Sequence, residues 1–192
     1  MLREMDDRGA IIATESAISY SLWNGIIPHL AVTIDPHATR VVRWLGDPEL
    51  TEEKLKADDY FSRQDQDDAF ASEMRANDEI LELVNKHGKD INMALSTMAS
   101  EALVNRVLES GMNIFWWNPM LDDPDAEDSI TAQLMSNNNF PTINAGGNVG
   151  TASWMMADVL LEKKHVALTG VDFSYYDDTP YFNTQYYYEA VE

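Results

Sequence analysis

The run Asn144-Ala-Gly-Gly-Asn-Val-Gly-Thr151 sets three glycines directly before an amphipathic stretch that reaches Leu161, and the apolar run His165-Val-Ala-Leu-Thr-Gly-Val-Asp172 follows it. A glycine-rich turn opening a helix lets a ligand approach the backbone and leaves unpaired N–H groups pointing at it, which suits a phosphate or another anion. Gly146, Gly147, Asn148, Val149 and Thr151 are therefore the candidate phosphate-binding residues, with Asn148 and Thr151 able to add side-chain donors. Gly170 and Asp172 close the next apolar run, and open α/β sheets bind ligands at that carboxyl end of their strands. An acid there can hold a ribose or sugar hydroxyl, or act as a base toward an acceptor. Thr14, Glu15 and Ser16 end the first apolar run, and Asp35-Pro36 end the second. His37, two residues on, brings an imidazole that titrates near neutrality. Each residue also has a plain reading: turn glycines, a helix-capping Ser16, an ordinary acid between strand and turn.

The elements that must position these residues alternate. Ala10–Thr14 reads as a buried strand and Ser16–Asn24 as a helix with Ile18 and Leu22 on one face, stopped by Gly25 and Pro28. Leu30–Ile34, Ile91–Ser96, Met112–Trp117 and Val166–Gly170 read as further strands. A helix from Ser100 to Ser110 ends at Gly111, a residue type that tolerates a left-handed cap, and Ser129 caps a short helix over Ile130–Ser136. Strands separated by helices pair in parallel through right-handed crossovers, so the expected fold is α/β: a Rossmann-like, doubly wound, mainly parallel sheet of about five strands with helices on both faces. Residues 1–192 are expected to form one domain. Within it, 47–87 is an insertion or lid that begins polar and charged over Asp47–Asp68 and then turns to a helix carrying Leu81 and Val84. The segment 175–192 is an aromatic-rich tail holding six of the eight tyrosines, suited to stacking on sugars or to packing on the domain or another subunit. Trp116, Trp117 and Trp154 read as core. Leu121–Asp128 is an acidic loop that either solvates a turn or holds a cation.

Composition narrows the function. Thirty-three acidic against thirteen basic residues give a net charge of −20, which opposes attraction to nucleic acid and to anionic membrane surfaces. No apolar run approaches the roughly 20 residues of a membrane span, and the acidic N-terminus is unlike a signal peptide, so the chain is expected to be cytoplasmic. With no cysteine, thiol catalysis, disulfides and Cys-based zinc sites drop out.

Five motifs recur in a fixed order: Ile11-Ile-Ala-Thr-Glu-Ser-Ala17, Gly25-Ile-Ile-Pro-His29, Val32-Thr-Ile-Asp-Pro36, Gly146-Gly-Asn-Val-Gly-Thr151 and Leu168-Thr-Gly-Val-Asp-Phe-Ser-Tyr175. In this order they resemble the MptE-like domain family, over about residues 10–176. That family contains motility accessory factor proteins, implicated in flagellin glycosylation, and archaeal 6-hydroxymethylpterin diphosphokinases, and its fold is similar to that of bacterial sialyltransferases. The resemblance implies a nucleotide-dependent transferase. The single acid in Thr33-Ile-Asp35-Pro36 is closer to the accessory-factor branch, which implies a CMP-activated sugar donor and a protein or glycan acceptor such as flagellin. The diphosphokinase branch implies ATP and Mg²⁺, and a non-catalytic nucleotide-binding module is the third reading. The resemblance places Thr14, Glu15, Ser16, the glycine turn and Gly170 around the nucleotide, Asp172, Asp35 and His37 at the chemistry, and Pro36 and Tyr175 near substrate. It implies no resident metal for the glycosyltransferase, and an oligomer is compatible with it. Two departures stand out. Sialyltransferase-like enzymes use a histidine beyond the last strand, and none follows His165 here. Family members begin with a further strand and glycine-containing loop, whereas only Met1–Gly9 precedes the first strand; the chain is expected to be a fragment or a shortened member.

Overall fold

The computed structural model describes residues 9–37, 42–57 and 76–171. Asp172, Tyr175, the tail 175–192 and the middle of the 47–87 stretch lie outside the described residues. Five strands carry the domain: β1 (Ile12–Thr14), β2 (Leu30–Thr33), β3 (Asn92–Ser96), β4 (Asn113–Pro119) and β5 (Thr142–Ile143). They pair in parallel, in the order β1-β2-β3-β4-β5. The helices are α1 (Glu15–Trp23), α2 (Glu52–Ala57), α3 (Asn77–His87), α4 (Glu101–Ser110), α5 (Ile130–Asn138) and α6 (Val149–Met155), the last continuing as a wide turn through Met156–Leu160.

Alternation along the strands sorts their side chains into two cores, because successive residues point to opposite sheet faces. Ala13, Ala31, Met93 and Leu95 face one side and pack against Ile18 and Leu22 of α1, Ile80 and Val84 of α3, and Leu103 and Val107 of α4. Val32, Ala94 and Trp117 face the other and pack against Ala152 and Met156, with Ile143 and Ala145. Helices therefore cover both faces, and the fold is Rossmann-like α/β. α6 lies across β1 and β2, so the chain leaves the far edge of the sheet at β5 and returns over the opposite face.

Local chemistry explains where the helices stop and start. Ser100 Oγ accepts from Leu103 N–H, and Gly111 at φ +77° ends α4, the cap-and-glycine pairing expected from the sequence. Ser129 Oγ likewise accepts from Ala132 N–H at the start of α5. Gly25, at φ +70°, turns the chain after α1. α3 packs in the core through Ile80 and Val84, of which Val84 was expected, while Leu81 lies against Gly46, and the segment ahead of the helix is fastened twice. Asp47 N–H donates to Asn77 Oδ1 at 2.8 Å, and Asn77 Nδ2 donates to the Asp47 carbonyl at 3.0 Å. Arg106, buried in α4, donates through Nε to the Gly46 carbonyl at 2.8 Å and through Nη2 to that of Leu45 at 2.9 Å. Burial lowers the Arg106 pKa, with Glu109 and Asp47 acting in the opposite sense.

Two expectations need correction. The apolar run Val166–Gly170 is not a strand in this structure, and residues 161–170 are exposed. The fifth strand is instead Thr142–Ile143, only two residues long, too short for any periodic signal. Trp154 is not core: α6 buries Ala152 and Met156, four residues apart and hence on one helical face, and Trp154 sits on the outer side at 45% exposure. Trp117 is core as expected, and Trp116, partly buried, stacks on Phe140 with ring centroids 6.5 Å apart.

Candidate functional site

In a parallel sheet the residues following each strand gather at one edge, and the candidate residues do so here. Thr14 ends β1 and Glu15 begins α1; Ile34, Asp35, Pro36 and His37 follow β2; the glycine turn follows β5 and opens α6. α6 crosses back over β1 and β2, so the helix that the glycine turn opens packs on those strands and not on β5 alone. The second core ties the two parts together. Ile34, the neighbour of Asp35, and Val149 both pack against the buried cluster that contains Ala145, and Ala145 and Val149 flank the glycine turn.

The turn itself is built by left-handed backbone. Gly146 has φ +64° and Gly147 φ +87°, conformations that cost an L side chain roughly 1–2 kcal/mol. Asn144 Oδ1 accepts from Gly146 N–H, and Asn148 Oδ1 caps the helix by accepting from Thr151 N–H, both at 2.9 Å. Thr151 Oγ1 donates toward the Ala145 carbonyl at 2.6 Å and the Asn148 carbonyl at 2.9 Å. These bonds close the turn from beneath, and a Cβ on Gly146 would stand 2.9 Å from Thr151 Cβ and Oγ1. Above it the turn is open, with nothing within 4 Å of a Cβ placed on Gly147. Among the described residues, no hydrogen bond accepts from the N–H groups of Gly147, Asn148, Val149 or Gly150. Four consecutive amides are thus without an acceptor among the described residues. The sequence counted Thr151 among the side-chain donors; its hydroxyl and its N–H are both engaged inside the turn, and Asn148 Nδ2 remains the available side-chain donor.

The other candidates are placed as follows. Glu15 is buried at 2% exposure, directly after the last residue of β1. Thr14 Oγ1 and Ser16 Oγ lie 3.4 Å apart, and Ser16 does not cap α1, whose N-cap position is Thr14 without a side-chain bond. Asp35 Oδ1 accepts from His37 N–H at 2.8 Å. That turn fixes one carboxylate oxygen of a partly exposed acid, while Pro36 and His37 are exposed. Gly170, at φ +68°, is exposed, and its neighbour Val171 reaches α6: a Cβ on Gly150 would meet Val171 Cγ1 at 3.1 Å. The start of α6 and the end of the 165–171 run are therefore side by side.

Residues outside this crevice resolve into structural roles. Asp122, in the acidic loop, accepts from Ser129 Oγ at 2.7 Å, Ile130 N–H at 2.8 Å and Thr131 N–H at 3.0 Å. Those bonds, led by the Ser129 hydroxyl, hold its carboxyl below the ordinary carboxylate range. The acid serves the N-terminus of α5. Among the described residues, no three His, Asp or Glu side chains are grouped so as to hold a metal ion. His29 Nδ1 accepts from Ile11 N–H at 3.0 Å, at the opposite end of the sheet from the crevice. Sequence reasoning missed one polar cluster at the strand tips: Asn118, fully buried at the end of β4, bonds Thr97 Oγ1, Asn138 and the Phe140 carbonyl. Its signal was an asparagine inside an apolar strand.

No helix among the described residues is long and apolar enough to cross a membrane. Compared with known protein families, curated proteins and solved structures, the chain matches none.

Proposed function

We propose that the chain is a nucleotide-dependent transferase, specifically a glycosyltransferase of the motility accessory factor type that uses a CMP-activated sugar. The observation that supports this most is the open Gly146–Gly147 turn: among the described residues the amides from Gly147 to Gly150 have no acceptor, and the helix they open packs on β1 and β2. In this reading the amides and Asn148 Nδ2 receive the donor phosphate, where fixed dipoles stabilise the charge that grows on the leaving nucleotide. Thr14, Glu15, Ser16 and Gly170 line the nucleotide, and Pro36 and Tyr175 lie toward the acceptor. A base, Asp172 or Asp35 with His37 as the substitute, takes the proton from the acceptor hydroxyl. The acceptor oxygen bonds the anomeric carbon, the bond from that carbon to the phosphate oxygen breaks, and CMP departs with the electron pair. The acceptor class is a protein or glycan, flagellin in the resembled branch. Neither nucleic acid nor an anionic membrane is a partner for a chain of net charge −20.

Thermal-shift screening separates this reading from the others. A ligand at 100 times its Kd stabilises the folded state by about 2.7 kcal/mol, or roughly 5–10 °C for a domain of this size. Such a shift with CMP or a CMP-sugar in the absence of added metal supports the glycosyltransferase. A shift with ATP that requires Mg²⁺ moves the assignment to a 6-hydroxymethylpterin diphosphokinase-like enzyme. No shift with any of them overturns the transferase reading and leaves a non-catalytic module.

A further inference from the structure

β1 lies at one edge of the sheet formed by the described residues. Ile11 and the residues of its parity face β2, since the Ile11 carbonyl accepts from Leu30 N–H. Ile12 and Thr14 therefore turn their N–H and C=O groups to the outer side, where no described strand pairs with them. An apolar edge left without a partner is a liability that proteins commonly blunt or cover, and among the described residues nothing pairs with this one.

The chain carries a segment that fits this edge. β1 reaches β2 through α1 on one face, moving from β1 toward β5. A right-handed crossover through α6 on the other face must move the opposite way. The positions from β1 to β5 are filled, so the next parallel strand belongs outside β1, and α6 already lies over β1 and β2. Beyond α6 the chain reverses: Leu161 N–H bonds the Met156 carbonyl, Lys163 N–H bonds that of Ala157, and Glu162 adopts φ +49°. His165–Val171 then runs back until Val171 meets Gly150 at the start of α6, which is the direction of β1. The segment lies in no helix or strand and is apolar, yet Val166 is 37% and Leu168 61% exposed.

We infer that His165–Val171 is a strand held undocked, and that it docks in parallel on the outer edge of β1 as the sixth strand of the sheet. Docking turns Val166 and Leu168 together to one face of the sheet, since residues two apart share a face, satisfies the outward groups of Ile12 and Thr14, and draws Gly170 and Val171 against the crevice rim. The inference does not depend on what the glycine turn binds.

Hydrogen exchange on the full chain tests it. Docking slows the amides of Ile12, Thr14 and residues 167–169 at least tenfold relative to unstructured-chain rates. Ala167→Pro and Leu168→Pro provide the second arm: neighbouring residues alternate in direction, so one of the two removes a ladder donor. That variant restores fast exchange at Ile12 and Thr14 while β3 stays protected. Fast exchange at Ile12 and Thr14 in the wild-type chain overturns the proposal, as does protection that survives both prolines, which would mean that something else covers the edge. Should the proline variants fail to fold, the absence of native cysteine allows a cross-link instead. Ile12→Cys is combined in turn with cysteine at Val166, Ala167, Leu168 and Thr169. One pair forms a disulfide under mild oxidation, because neighbouring strands lie roughly 4.7–4.9 Å apart, within the Cα separation that a disulfide spans; if none forms, the segment does not dock.

Discussion

Gly146 and Gly147 share a backbone conformation but differ in what surrounds them, so alanine at each should separate the turn's structural duty from its ligand duty. At Gly147 the methyl group meets nothing within 4 Å, and the cost is the left-handed strain alone, about 1–2 kcal/mol. At Gly146 the same strain applies at φ +64°, and the methyl also stands 2.9 Å from Thr151 Cβ and Oγ1. Thr151 must move, and it holds the carbonyls of Ala145 and Asn148. A net loss of about 1 kcal/mol for those bonds and about 1 kcal/mol for the disturbed Asn148 cap brings Gly146→Ala to roughly 3–4 kcal/mol. Urea denaturation with a common m-value reads both. In a domain of this size the Tm falls about 2–4 °C per kcal/mol, so scanning calorimetry gives an independent check. Calorimetric titration with CMP adds the functional half. On the proposed reading, Gly147→Ala folds and yet loses at least tenfold in CMP affinity, because its methyl projects into the space proposed for the phosphate. Equal destabilisation by the two alanines would refute the assignment of Thr151 as the floor of the turn. Unchanged CMP affinity in Gly147→Ala would refute the placement of the phosphate.

Two further perturbations test the framework that carries the site. Arg106→Met keeps the buried volume but leaves the Leu45 and Gly46 carbonyls without their donors, and unpaired buried acceptors cost roughly 1–3 kcal/mol each. Destabilisation of about 2–4 kcal/mol in urea is expected, and a loss under 1 kcal/mol would show that water replaces the guanidinium. Asp122→Asn acts through pH. The folded-state pKa of Asp122 is depressed by the Ser129 hydroxyl and the Thr131 and Ile130 donors, so the carboxylate stabilises the fold above the unfolded carboxyl pKa of about 3.9. That contribution fades as pH falls through and below that value. Wild type should be the more stable at pH 6, with the gap closing progressively below pH 4; a gap independent of pH from 6 to 3 would rule out the capping role.

The sequence was most legible where a local signal and a tertiary demand agree. α4 is the clearest case: Ser100 caps it, Gly111 stops it, and Leu103 and Val107 fill the core from one face. The same agreement gave the glycine turn, since only backbone at positive φ needs consecutive glycines before a capped helix. It also made the gathering of Thr14–Ser16, Asp35 and the turn readable, because parallel strands joined by helices deliver the residues after each strand to one edge.

What stayed hidden is long-range or too short to repeat. Arg106 reads as a solvated charge in a polar helix, and nothing local says that it reaches 60 residues back to the Gly46 carbonyl. Thr151 reads as a ligand donor until its hydroxyl is seen closing the turn from below. β5 has two residues and no period to detect, whereas 165–171 has the composition of a strand without a pairing partner. That contrast carries a physical point: apolar β-branched sequence reports a preference for a pleated, half-buried surface, and the preference is realised only where neighbouring backbone supplies the ladder. At β5 the supply is β4, which pairs Asn118 and Pro119 with Thr142 and Ile143 and needs little from the sequence. At 165–171 the backbone that could supply it is the outer edge of β1, and the strand forms when the two meet.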